Sequence, residues 1–319
     1  MLKINYRKSE KMLHFLALDI GGSKTKLVVF DKNLKQLKVN TAQGFGESFE
    51  SDEDMPELEK VLRDTVKDFD ICSVAVNLGG RNKNQVYKAV KKCLPESAVI
   101  VFRESEGTAS VMFAKYCGAE CVLLAGTGTI VTAFDDKGKT VIGGGWGMNI
   151  GDGGSGYYIG LEAVKSSLRA LDGSDELTPL QKEITGREHV ILPSEDVFDI
   201  CKSRDDVRSR IFPIERKKIA SLAVTVAKHC ENGDRDALEI MNAAGREMAE
   251  ICVHAVNKLL PYKVKCLVVT GGLVGCRKFW QDEFEKTLRF GSAVNEFEYV
   301  NDGVLIGTEL AAIDVYKEN

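Results

Sequence analysis

The feature that most limits how this chain can fold is a repeat. Residues 18–31, LDIGGSKTKLVVFD, return 104 positions later as residues 122–135, VLLAGTGTIVTAFD. Gly126 then lies over Gly22, Thr127 over Ser23, Thr129 over Thr25, Phe134 over Phe30 and Asp135 over Asp31. Each copy runs from an apolar strand through a Gly/Ser/Thr turn into a second apolar strand that ends at Phe-Asp, which is a β-hairpin written twice. Packing alone gives no reason to repeat Gly-Ser/Thr-x-Thr at a fixed offset, so the spacing predicts a duplicated domain. Glycine lets backbone N–H groups approach an anion closely and the hydroxyls add donors, so two such turns facing each other would clamp a phosphate.

The rest of the chain alternates strands and helices. After the first hairpin a third strand is expected at 37–39, a helix over 54–68, a buried strand over 72–77, a helix over 84–93, a strand over 98–102 and a helix opened by Glu104 and running to Tyr116. An antiparallel hairpin followed by such alternation indicates an α/β domain with a mixed sheet. Past the second hairpin lie eight glycines in the sixteen residues from Gly143 to Tyr158, a density tolerated mainly where backbone must approach something closely. Helices are expected from Ser155 to Gly173, over 216–230, over 234–260 and over 279–288, strands over 265–270 and 296–300, and a terminal helix over 303–316, while 174–214 reads as a polar, peripheral helical insertion.

Composition narrows the function classes. With 319 residues, 44% hydrophobic, the chain can bury two well-sized cores. A net charge of −4 and the lack of a Lys/Arg-dense face argue against nucleic acid or an acidic membrane as partner, and the run Arg216-Lys217-Lys218 reads as a solvated helix end. No apolar run reaches the roughly 20 residues that span a bilayer. Nine cysteines, mostly inside apolar runs, fit buried thiols of a reducing cytoplasm better than disulfides. Residues 1–12 are basic and polar and read as an extension outside the fold, not as a signal peptide.

Asp19-Ile-Gly-Gly-Ser-Lys-Thr-Lys, Ala125-Gly-Thr-Gly-Thr, Gly144-Gly-Trp-Gly, Gly151-Asp152-Gly-Gly-Ser155 and Val269-Thr-Gly-Gly272, in that order, resemble the motifs of the N-acetylglucosamine kinase family. That family belongs to the BadF/BadG/BcrA/BcrD ATPases within the sugar kinase, actin and heat-shock-chaperone superfamily. The resemblance implies an α/β fold of two duplicated actin-like (ribonuclease H-like) ATPase domains with mixed sheets and a cleft between them. Residues 13–113, completed by a C-terminal helix at about 303–319, would form one domain, and 114–302 the other, with its insertion at 174–214.

By position, the resemblance implies that Asp19 holds Mg²⁺ through water, and that Gly21, Gly22, Ser23, Lys24 and Thr25, with Gly126, Thr127, Gly128 and Thr129, cradle the phosphates of ATP. Gly271 and Gly272 would lie against the adenosine. Trp146, Gly147 and Asp152 would contact the sugar, and Glu104 would be the catalytic base. A carboxylate there orients the acceptor hydroxyl and takes its proton as the P–O bond forms. The acceptor side departs from the family pattern. Glu stands for the usual Asp at 104, Gly153 for a Glu, and 42–47 carries no Asn.

Alternatives remain open at the level of sequence. Asp19 can cap a turn, Lys24 can be solvated, Trp146 can be core, and Glu106 competes with Glu104 as the base. The implied function is ATP- and Mg²⁺-dependent phosphorylation of an amino sugar or hexose (N-acetylglucosamine, N-acetylmuramic acid or glucosamine), by a cytoplasmic protein expected to be a homodimer that closes on its small-molecule substrate. Against it stand an ATPase activator of a protein partner, whose iron–sulfur cluster would use Cys117 or Cys121, and a nucleotide sensor without chemistry.

Overall fold

A computed structural model describes residues 13–21, 24–44, 55–78, 83–103, 106–147, 151–173, 176–192, 194, 196–211 and 215–318. The chain divides into two units, one running to Phe113 and taking in the chain from Val304 onward, the other Ala114–Gly303. Among the described residues no helix is long and apolar enough to cross a membrane.

The first unit holds β1 (His14–Ile20), β2 (Lys24–Asp31), β3 (Gln36–Gln43), α1 (Pro56–Val66), β4 (Ile71–Leu78), α2 (Lys83–Cys93), β5 (Val99–Arg103) and α3 (Glu106–Tyr116). Its sheet has the order β3-β2-β1-β4-β5, antiparallel through the hairpins and parallel at β1-β4 and β4-β5. Side chains alternate across a strand, so Leu16, Leu18 and Ile20 pack with Leu58, Leu62 and Val86 of α1 and α2 on one face. Phe15 and Ala17 pack on the other face with Leu305 and Ala311.

The second unit repeats the plan with β6 (Cys121–Ala125), β7 (Thr129–Phe134), β8 (Thr140–Gly144), α4 (Gly156–Gly173), α5 (Pro179–Thr185), α6 (Val197–Ile211), α7 (Arg216–Glu231), α8 (Arg235–Asn257), β9 (Cys266–Thr270), a 3₁₀ segment Gly272–Phe279, α9 (Gln281–Gly291) and β10 (Glu296–Val300). The terminal helix α10 (Gly303–Glu318) follows. Its sheet order, β8-β7-β6-β9-β10, matches the first strand for strand in sense and connection. Leu123, Val131, Val226, Met241, Met248, Trp280 and Phe284 lie in its core.

The duplication extends to the loops. Asp31 Oδ1 accepts the N–H groups of Asn33 and Lys35, and Asp135 Oδ1 accepts those of Lys137 and Lys139. Both turns need a left-handed residue at the same place, filled by Gly138 (φ 83°) in one and by Leu34 (φ 61°) in the other. The offset of 104 holds on the outgoing strands but not on the incoming ones. Ile20 pairs with Thr25 while Ala125 pairs with Thr129, so the first turn is one residue longer.

Three expectations needed adjustment. The strand expected at 37–39 runs over Gln36–Gln43, and β8 was not foreseen because its last residues, Gly143 and Gly144, read as loop. The helix expected from 279 is preceded by the 3₁₀ segment, where closely spaced Gly271, Gly272 and Gly275 mask any helical periodicity, whereas the insertion is helical as expected, with α5 and α6.

Candidate functional site

In the first unit the candidate residues lie at the end of β1. Asp19 follows Phe15 and Ala17 on the face that α10 covers, and it is half-buried at the strand's C-terminal end. Its register neighbours are Lys26 on β2 and Asn77 on β4. Asn77 Nδ2 donates to Asp19 Oδ1 at 2.8 Å, and Asn77 is fully buried with its own Oδ1 unpartnered. The turn that follows is closed by Gly21 N–H donating to Lys24 O at 3.0 Å, with Lys24 exposed and Thr25 buried. Gly22, Ser23 and Glu104 lie outside the described residues, as does the side chain of Glu106.

In the second unit the candidate residues lie at the turn between β6 and β7. The carbonyls of Gly126 and Thr127 accept the N–H groups of Gly156 (2.8 Å) and Tyr157 (3.2 Å), the first residues of α4. Gly126 N–H closes on Gly128 O, which leaves the N–H groups of Thr127 and Gly128 without an acceptor among the described residues. Thr25 and Thr129, equivalent in the duplication, are both buried with an unpartnered Oγ1. Buried polar atoms are ordinarily satisfied, so an orphan at the same place in each copy fits a turn built for a polar ligand. A phosphate group suits the free N–H pair chemically.

Asp152 joins this turn to the glycine-rich loop. It is 3% exposed, holds φ at 61°, and accepts Thr129 N–H and Arg216 Nη2, each at 3.4 Å. A Cβ on Gly128 would lie 3.1 Å from Asp152 Oδ2, so glycine there admits the carboxylate. Trp146, by contrast, is 74% exposed, and the loop beyond it closes through Gly151 N–H to Gly147 O at 2.8 Å. Gly271 and Gly272 differ in kind. At Gly271, φ is 109° and a Cβ would lie 2.5 Å from Ala125 O, so packing against β6 demands glycine, whereas nothing lies within 4 Å of the same position on Gly272.

Burial disfavours ionisation of the thiols near β6. Burial, then Glu298 and Cys266, pushes the Cys117 thiol up to about 11, and complete burial holds Cys121 well above the usual range. A thiol must ionise to ligate metal. Among the described residues no three His, Cys, Asp or Glu side chains converge as a metal site.

The profile of the BadF/BadG/BcrA/BcrD ATPase family matches residues 16–295. The chain belongs to that family. Among curated members of similar sequence, an N-acetylmuramic acid/N-acetylglucosamine kinase of Clostridium acetobutylicum is 27% identical over 294 residues, covering 87% of this chain and 90% of that one. An N-acetyl-D-glucosamine kinase of Dictyostelium discoideum is 26% identical over 301 residues, covering 86% and 89%. A ROK family glucokinase of Streptomyces griseus, solved with glucose and AMPPNP, shares the fold at a TM-score of 0.59 and 12% identity, covering 94% of this chain and 99% of that one.

Two residues beside the candidate positions carry only a faint signal in the sequence. Asn77 was legible as a lone amide in the apolar run VAVNL. Arg216 reads in sequence as a solvated helix end, whereas in the structure it pairs with buried Asp152. The signal was its position, since a cation opening a helix opposes the helix dipole and needs a compensating anion.

Proposed function

We propose that this ATPase is an ATP- and Mg²⁺-dependent kinase that phosphorylates a hydroxyl of N-acetylglucosamine or a closely similar amino sugar or hexose. The observation that carries the reading is the pair of curated relatives, both named N-acetylglucosamine kinases and both matched over more than four-fifths of each chain. The ordered motifs support it independently.

In this reading Gly21, Gly22, Ser23, Lys24 and Thr25 with Gly126, Thr127, Gly128 and Thr129 bind the phosphates, and Gly272, with Gly271 shaping the backbone beside it, meets the adenosine. Asp19, oriented by Asn77, faces Mg²⁺ through water. A single carboxylate suits that ion, which keeps several waters and the substrate's phosphates as ligands. When bound, Mg²⁺ neutralises charge on the β- and γ-phosphates. Trp146 and Gly147 offer the acceptor an aromatic face beside open backbone, Asp152 stands next to them, and Glu104 takes the hydroxyl proton.

Activation of a protein partner through an iron–sulfur cluster is less well supported, because Cys121 is buried in β6 and the Cys117 thiol resists ionisation. Nine free thiols support a reducing cytoplasm as its place. The homodimer rests on the resemblance alone, and light scattering checks it. The test of function is ATP consumption with Mg²⁺ against glucose, glucosamine, N-acetylglucosamine and N-acetylmuramic acid, with iron measured on anaerobically purified protein. Sugar-dependent turnover without iron is expected. Stoichiometric iron lost on Cys117→Ser or Cys121→Ser, with no sugar-dependent turnover, would overturn the reading.

A further inference from the structure

α8 presses an apolar ridge into the glycine-rich loop. A Cβ on Gly143 would lie 3.3 Å from that of Ala255, one on Gly144 would lie 3.3 Å from Ile251 Cγ2, and one on Gly154 would lie 2.4 Å from both Ala244 O and Met248 Cγ. One residue on this ridge is charged. A Cβ on Gly153 would lie 2.8 Å from Glu247 Oε2, so the carboxylate occupies the space where a side chain at 153 would begin. Glu247 is half-buried, and no hydrogen bond or ion pair among the described residues engages it.

The three consecutive residues 151–153 therefore face three different things. Gly151 abuts Trp146, with a Cβ position 2.9 Å from the tryptophan's own. Asp152 turns to Thr129 and Arg216, and its carboxylate is occupied by them. Gly153 meets Glu247. An exposed indole beside Gly151 and an unengaged α8 carboxylate beside Gly153 bring to one short stretch the chemistry that grips a sugar, since the ring face covers C–H groups and the two carboxylate oxygens accept from neighbouring hydroxyls.

The surroundings of Glu247 are also negative. Burial first, then Glu250 on its own helix and Glu162 on α4, raise its carboxyl above the ordinary range, and burial followed by Glu247 raises the Tyr158 hydroxyl. Arg246, the opposing charge beside Glu247 among the described residues, is bonded to Glu283 at 3.4 Å.

We propose that Glu247 is a specificity-determining residue that accepts hydrogen bonds from the hydroxyls of the sugar and, with Glu162 and Glu250, favours a neutral acceptor over one bearing a carboxylate. The inference rests on the kinase reading and moves the acceptor contact from Asp152 to α8. Attraction to hydroxyls gives affinity, and repulsion of an anionic sugar gives selectivity.

The experiment compares Glu247→Gln with the unaltered protein, using N-acetylglucosamine as the neutral probe and N-acetylmuramic acid as the anionic one. A hydrogen bond to a charged group is worth about 10- to 100-fold, so the KM for N-acetylglucosamine should rise by about that factor while the KM for ATP holds and the melting temperature does not fall. The kcat/KM ratio of N-acetylmuramic acid to N-acetylglucosamine should rise at least about 5-fold. An unchanged sugar KM overturns the inference while leaving the kinase reading intact, and a raised KM with an unchanged ratio overturns its selectivity half. If the unaltered protein phosphorylates no sugar, the kinase reading falls and the inference with it. Should Glu247→Gln fail to fold, Glu247→Asp keeps the charge but withdraws it by one methylene, and an unchanged sugar KM there is equally fatal.

Discussion

Removing either half of the Asp152–Arg216 pair should not cost the same. Asp152 is 3% exposed, whereas the Arg216 side chain is 39% exposed. At 3.4 Å and an effective dielectric of about 20, their attraction is about 5 kcal/mol, and solvent around Arg216 screens part of it. Arg216→Met leaves a buried carboxylate with one long hydrogen bond from Thr129, so the loss should be about 3 kcal/mol, at the low end for breaking a buried pair. Asp152→Asn leaves a cation that water can reach, keeps an acceptor for Thr129 N–H and suits the left-handed backbone, so it should cost about 1 kcal/mol. The double variant should also lose only about 1 kcal/mol, a coupling of about 3 kcal/mol. Thermal unfolding of all four proteins reads this as a fall of about 6–12 °C for Arg216→Met and about 2–4 °C for the other two. Equal losses in the two single variants, or an additive double variant, would refute the reasoning.

Glu104→Gln should leave ATP affinity nearly intact and lower turnover by about 10²- to 10⁴-fold, measured by titration and steady-state kinetics. The reverse pattern, with Glu106→Gln inactive and Glu104→Gln active, would move the base to 106. Gly271→Ala should destabilise by more than about 2 kcal/mol, through the clash with Ala125 O and a φ of 109°, while Gly272→Ala should keep its melting temperature and lose nucleotide affinity. Glu247→Gln should be at least as stable as the unaltered protein at pH 7, because a carboxyl whose folded-state pKa is raised loses its contribution as pH rises through that value. The advantage should vanish below the ordinary 4.5, where Glu247 is neutral in both states, and melting curves from pH 4 to 8 check it.

The duplication was legible because backbone demands repeat with the fold. A Gly-Thr turn and the Asp31 and Asp135 loops must each satisfy the same N–H groups, so the same residue types return. Register was less legible, since a turn can lengthen by one residue without altering the strands it joins, as between Ile20 and Thr25. The glycine-rich stretch was legible as a place of close approach, but not what approaches. Much of it admits α8, and only the contacts distinguish Gly154, packed on Ala244, from Gly147, whose Cβ position is open among the described residues. Asp152 and Glu247 show the same limit. Sequence puts Asp152 beside the sugar-binding motif and reads Gly153 as a missing carboxylate, whereas tertiary contact engages Asp152 elsewhere and brings a carboxylate to Gly153 from nearly a hundred residues away.

The most direct test of the kinase account is the fate of the γ-phosphate. Purified protein with Mg²⁺, ATP and N-acetylglucosamine, followed by ³¹P NMR, should form one sugar phosphate for each ADP, with inorganic phosphate negligible while sugar remains. ADP and inorganic phosphate appearing together, with no sugar phosphate from any of the four sugars named above, would contradict it.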